Sequence, residues 1–151
     1  MQTRYRWFDQ ILEFIPGDRV TAVKDVSPTE IFFTDHFPKM PVVPGTVQLE
    51  AMLHLSRWLI VVSNNFHLAG SPHTLRGVDF RQFVRSGDQL MFEACIINHT
   101  VRAATIRARA TVNGRKVSGV KEIEFDLRRL SPDQVNAEKA LFEILTEKVP
   151  V

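Results

Sequence analysis

The chain has 151 residues, 44% apolar and 24% charged, with a formal net charge of +2. That length fits one domain with a sizeable core, and the composition excludes a disordered or fibrous chain. The near-balanced charge makes no case for nucleic acid as a partner. One cysteine, Cys95, excludes an internal disulfide framework, suits a reducing compartment and reads as a small core residue. No N-terminal stretch has a signal-peptide layout, and no apolar run reaches the ~18 residues of a membrane span. The expectation is a cytoplasmic protein, one domain over 1–151, without repeats or linkers.

In chain order, the first element is Tyr5–Ile15, where Trp7, Ile11, Phe14 and Ile15 fall at i, i+4, i+7 and i+8 and predict a short amphipathic helix ended by Pro16-Gly17. "RVTAVKDV" carries a weak strand alternation. "EIFFTDHF" is an aromatic run leading into Pro38. Pro44-Gly45 opens the longest helical stretch, Thr46–Val62, whose apolar residues nearly surround its axis and predict burial on most sides. The texture then changes to strand-length pieces rich in Val, Ile, Phe and Thr. Asn113-Gly114 marks a hairpin and Ser86-Gly87-Asp88 a turn. A last helix over 131–149 has Ser131 as cap, Pro132 in its first turn and Asp133 at its positive end. Its apolar face is Val135, Leu141, Phe142, Leu145 and Val149. A buried helix needs apolar cover on several sides, which a curved sheet supplies. The layout is therefore α+β, an antiparallel sheet folded about one central helix.

Chemistry concentrates in "HFPKMPVVPGTVQLEAM", His36–Met52. His36 titrates near neutral pH and suits general-base work. Gly45 permits close approach to the N–H groups of a helix start, which bind partial negative charge such as a developing enolate. Glu50, among Leu49, Ala51, Met52 and Leu53, becomes a candidate general acid if burial raises its pKa. Each residue also has a structural reading: a satisfied histidine, a good helix start, and a glutamate on a wet face or paired with Arg57. What favours chemistry is that base, acid and helix N-terminus fall within fifteen residues.

The stretch resembles the signature of the 3-hydroxyacyl-acyl-carrier-protein dehydratases of bacterial fatty acid synthesis: His36-Phe37-Pro38, Pro41, Pro44-Gly45 with Gly nine residues after the His, then Glu50-Ala51-Met52. "FRQFVRSGDQL" and Phe32-Phe33 match as well, and the resemblance spans roughly 11–127. It implies a hot-dog fold, a long central helix wrapped by a curved antiparallel sheet, here with an extra C-terminal helix. It implies homodimers, sometimes trimers of dimers, whose sites take the His from one subunit and the acid from the other. It implies no metal and no organic cofactor, and an acyl carrier protein or coenzyme A thioester as substrate. His36 would then remove the C2 proton of a 3-hydroxyacyl thioester, the Gly45 N–H would hold the carbonyl oxygen, and Glu50 would protonate the departing hydroxyl. Pro44 and Phe37 would line the substrate site. Glu at the acid position resembles the plain dehydratases, whereas Asp marks the branch that also isomerises the double bond.

Three positions depart from the pattern: Asp35 and Lys39, where the family usually has Gly, and His54, where it usually has Gln. His54 lies one helical turn beyond Glu50 and can take over a hydrogen bond to it. Arg76, Arg81, Arg85, Lys121, Arg128 and Arg129 are candidates for docking an acidic carrier. The competing readings are a hot-dog thioesterase, a non-catalytic acyl-binding or scaffold subunit, and a metal site of His36, Glu50 and His54.

Overall fold

The computed structural model describes residues 7–30 and 42–145, the last by its backbone alone. Its elements are β1 (Gln10–Ile15), β2 (Arg19–Asp25), α1 (Gly45–Ser63), β3 (Leu68–Phe80), β4 (Gln89–His99), β5 (Ala103–Val112), β6 (Arg115–Arg129) and α2 (Pro132–Leu145). The strands form one six-stranded sheet in the order β1-β2-β4-β5-β6-β3, each neighbouring pair antiparallel.

The helix–sheet packing follows from side-chain size. β5 alternates cleanly, with Ala104, Ile106, Ala108 and Ala110 buried and Arg107 and Arg109 exposed. With Ala22 and Ala94, the three alanines keep the inner face shallow, so the backbone of α1 can come close. Larger side chains, Phe92, Ile123 and Phe125, join the same core cluster as Met52, Leu55, Leu59 and Ile60 of the helix. Trp58 to Val62 are five consecutive buried residues, as expected for a helix covered all round. At the other end of α1, Thr46 and Glu50 are exposed and Leu49, Leu53 and His54 only partly covered. The expected α+β architecture is thus present, and neither described helix is long and apolar enough to cross a membrane.

The helix expected over 5–15 is a correction. Residues 10–15 form a strand, with Ile11 opposite Ala22 and Phe14 opposite Val20. The ladder shifts register between Ile11 and Glu13. A bulge adds one residue, so Ile11 and Phe14, three apart, both point into the core at 2% and 9% exposure. That bulge imitates helical spacing in the sequence. A second correction concerns Cys95, which is half-buried on the face of β4 that also carries Glu93, away from the core residues Phe92 and Ala94. Burial pushes its thiol pKa up, and Glu93 adds to this, so it is a poor nucleophile.

The turns match the residues that make them. Asn113 and Gly114 have φ of 51° and 80°, the two positive values a tight β5–β6 hairpin needs. Ser131 Oγ accepts from the Gln134 N–H at 3.3 Å while Gln134 Oε1 accepts from the Ser131 N–H at 2.9 Å, a reciprocal cap on α2. That helix is anchored by Phe142, which meets Phe14 and Phe66 edge-on and stacks on Trp58 with centroids 5.8 Å apart. Phe142→Ala should therefore cost roughly 1–3 kcal/mol, less than a fully buried phenylalanine because Phe142 is only partly covered. Urea denaturation measures this, and an unchanged midpoint would mean that α2 adds no stability through this contact.

Candidate active site

The start of α1 is built by local constraints. Pro44 is extended (φ −56°, ψ 142°), and its carbonyl accepts from the Val47 and Gln48 N–H groups at 3.1 and 3.2 Å. The two residues before it are tied down: Val42 bridges Arg85, and the Val43 N–H donates to the Val84 carbonyl at 2.7 Å. The Gly45 and Thr46 N–H groups, ahead of these two bonds, have no acceptor within the helix. They therefore sit at a fixed place beside the segment that follows β3.

That segment is held in turn by "SGDQL". The Arg85 N–H donates to Asp88 Oδ2 at 2.8 Å, the Gly87 N–H to the Val26 carbonyl at 2.9 Å, and Gln89 Nε2 to Asp25 Oδ1 at 2.9 Å. Leu90 is buried at 3%. The motif is thus a clamp that fixes the groove wall to the end of β2.

The groove itself has a volume of about 380 Å³ and is lined by Val42, Val43, Gly45, Gln48, Phe80, Arg81, Gln82 and Phe83. Gly45 lies under the Phe80 ring: a Cβ at this position would meet ring carbons at 3.0–3.1 Å, so only glycine leaves the helix start open beside the ring. Gln48 is 3% exposed, its Nε2 donating to the Val43 carbonyl at 3.4 Å and its Oε1 without a hydrogen-bond partner among the described residues. Phe80, Phe83 and Gln48 escape a sequence reading of the site; the signal for the two aromatics is the pair of phenylalanines in "FRQF", just ahead of the turn.

The expected site residues fall in different places. Gly45 lines the groove and Pro44 precedes it at the helix cap. Glu50 does not line it. Its side chain is 57% exposed, so the burial expected of it is not provided within one chain. Five residues at 3.6 per turn put Glu50 about 140° around the helix from Gly45. His54 does not line the groove either; its Nε2 lies 4.0 Å from Glu50 Oε2, and its ring stacks on Trp7 with centroids 4.7 Å apart. His36 and Phe37, with Asp35 and Lys39, lie outside the described residues.

Burial holds the His54 pKa below its usual 6.5, helped by the Arg57 charge and opposed by Glu50. Just below pH 6.5 the unfolded chain therefore binds a proton that the folded chain refuses. Folding stability should fall as pH drops through 6.5 toward the depressed native value, and His54→Gln should remove that part of the slope. Denaturation midpoints between pH 7 and pH 5 read this out; identical slopes in the two proteins would contradict it.

Of the docking arginines, Arg76 is paired with Glu124 at 3.0 Å and Arg81 with Asp79 at 2.7 Å, so two of the six expected charges are already partly neutralised.

A central helix wrapped by an antiparallel sheet, with a glycine-started helix opening onto a groove, defines a hot-dog protein. The solved structures agree: a Streptococcus mutans protein bound to acetyl CoA superposes with a TM-score of 0.65 at 11% identity, over 85% of this chain and 94% of that one. A dehydratase heterocomplex from Xenorhabdus doucetiae gives 0.58 at 19% identity, over 73% and 88%. Within that fold the chain belongs to the FabA-like family, whose domain model matches residues 2–121. The 3-hydroxyacyl-acyl-carrier-protein dehydratase FabZ of Myxococcus xanthus is 36% identical over 135 residues, 87% of this chain and 86% of the relative.

Proposed function

We propose that this protein is a 3-hydroxyacyl-acyl-carrier-protein dehydratase, forming the trans-2-enoyl thioester and water in fatty acid or a related lipid or polyketide synthesis. The observation that carries the reading is the pinned start of α1, with Gly45 opening onto the groove and Glu50 at the family's spacing. The thioester carbonyl hydrogen-bonds the Gly45 N–H, where the helix dipole and exposed N–H groups favour the charge that develops as C2 loses its proton. His36 takes that proton. Glu50 gives its own to the C3 hydroxyl, which leaves as water. No step in this chemistry calls for a metal or an organic cofactor. The side chains of Phe80 and Phe83 offer apolar cover to the acyl chain.

The working unit is a homodimer. Glu50 points about 140° away from its own groove start, so it serves the site of a second subunit. Support comes from β3, a thirteen-residue strand that among the described residues pairs with β6 on one side only and so forms a sheet edge. Leu75, Val78 and Phe80 along it, and Phe83 just after it, are 36%, 39%, 51% and 64% exposed. A long edge with apolar side chains is a template for a second strand, and two copies of β3 paired antiparallel about a two-fold axis extend the sheet through the dimer. Covering this edge also closes the groove against water. A lone free thiol fits the cytoplasm as the compartment.

The test runs the reaction in reverse: supply a trans-2-enoyl thioester and follow loss of the conjugated-enoyl absorbance with a thiol reagent present. Reversible hydration without thiol release is the expected result. Thiol release would make the protein a thioesterase, and no change would make it an acyl-binding subunit.

A further inference from the structure

We propose that His54 is a positioning residue for Glu50, orienting its carboxyl group and keeping it able to carry the proton. The inference rests on Glu50 being the acid. The two side chains are one helical turn apart, with His54 Nε2 4.0 Å from Glu50 Oε2. That is beyond hydrogen-bond length, but the two groups are not equally free. The imidazole is 32% exposed and lies flat against the Trp7 indole, at an interplanar angle of 28°, whereas the carboxyl group is 57% exposed. Rotation of the Glu50 side chain closes the gap while the ring stays clamped.

The protonation state of the ring decides what it can do. A neutral imidazole donates through one nitrogen and accepts through the other, so in either tautomer it partners a carboxylate or a carboxylic acid. An imidazolium only donates, and it would hold Glu50 ionised and unable to protonate a leaving hydroxyl. The site opposes the charged form: the ring is partly buried and Arg57 lies nearby, with Glu50 alone acting the other way. Both charged groups sit on α1. The partner from the N-terminal segment, Trp7, is uncharged and supplies surface without charge. Trp7 and α1 thus hold a neutral donor–acceptor at a set distance from the acid.

The experiment compares kcat, KM and pH profiles of the full-length wild type, His54→Ala and His54→Gln in the dehydration direction, on a 3-hydroxyacyl thioester. His54→Ala should lower kcat about tenfold, the size of one hydrogen bond to an ionisable group, with KM within about twofold. His54→Gln, a neutral side chain with both donor and acceptor, should recover to within about threefold of the wild type. At the acid end the wild-type log kcat should steepen from a slope of about 1 towards about 2 as His54 also takes a proton, and His54→Gln should stay near 1. Wild-type kcat in His54→Ala would overturn the proposal. So would equal impairment of both variants, which would make His54 merely a packing partner of Trp7. Glu50→Gln run in parallel separates the two readings: full activity there sinks the acid assignment itself, whereas an inactive Glu50→Gln beside an unaffected His54→Ala removes only the role of His54.

Discussion

Glu50→Gln is expected to lower kcat for enoyl hydration by about 10²–10⁴-fold, the usual contribution of a positioned acid or base. The variant keeps the size of the side chain and removes only its capacity to exchange a proton, given to the hydroxyl in dehydration and taken from water in hydration. The side chain is 57% exposed within its chain, so the fold should be unharmed, with stability within about 0.5 kcal/mol of the wild type. His36→Ala should lose activity to a similar degree. The two inactive proteins then ask a question that neither answers alone. If the base and the acid of one site come from different subunits, a mixed dimer of His36→Ala and Glu50→Gln holds one intact site and one doubly damaged site. Unfolding and refolding an equal mixture makes about half the dimers mixed, so activity should return to about a quarter of the wild-type level. If both groups came from the same subunit, every site would lack one of them and mixing would restore nothing. That outcome would rule out the shared site while leaving the chemistry intact.

Leu75→Glu combined with Val78→Glu should convert the protein to monomers and reduce activity by more than about 100-fold, because each site would lose its partner's acid. Both residues are more than one-third exposed on the edge strand, so the substitutions remove little core packing. In an antiparallel pairing of two β3 strands they would gather four carboxylates along one seam, where like charges facing each other oppose pairing. Light scattering reads the mass, and far-ultraviolet circular dichroism checks that the sheet survives. A variant that stays dimeric and active would place the interface elsewhere on the molecule.

Elements with local causes are legible in the amino-acid sequence. Asn113-Gly114 makes a hairpin because its positive φ angles suit asparagine and glycine. Ser131 and Gln134 cap α2 because their side chains reach each other's N–H groups. The central helix shows itself by apolar residues all round its axis, and its bounds move by only a residue at each end, from 46–62 to Gly45–Ser63. The strand at 10–15 is not legible in this way. A bulge is a property of a strand pair, and the partner Arg19–Asp25 is needed before a three-residue spacing can be read as a strand. Cys95 misleads for a similar reason: its face is set by the register of β4, in which Phe92 and Ala94 point inward and Cys95 outward.

The candidate site divides the same way. By itself, the sequence determined the parts and their order: His36, Pro44-Gly45 and Glu50 at fixed spacing, with a glycine where a helix begins. Those are one-dimensional facts, set by residue type and helix period. Only the tertiary structure decided that Gly45 opens onto a groove under Phe80, that Glu50 turns away from that groove, that "SGDQL" braces the wall, and that Trp7 lies flat on His54. Each of these joins residues 35 to 64 positions apart in the chain, or depends on which side of a helix meets which strand. Apolar periodicity says that a side is buried; the packing of the sheet around the helix says what lies against it.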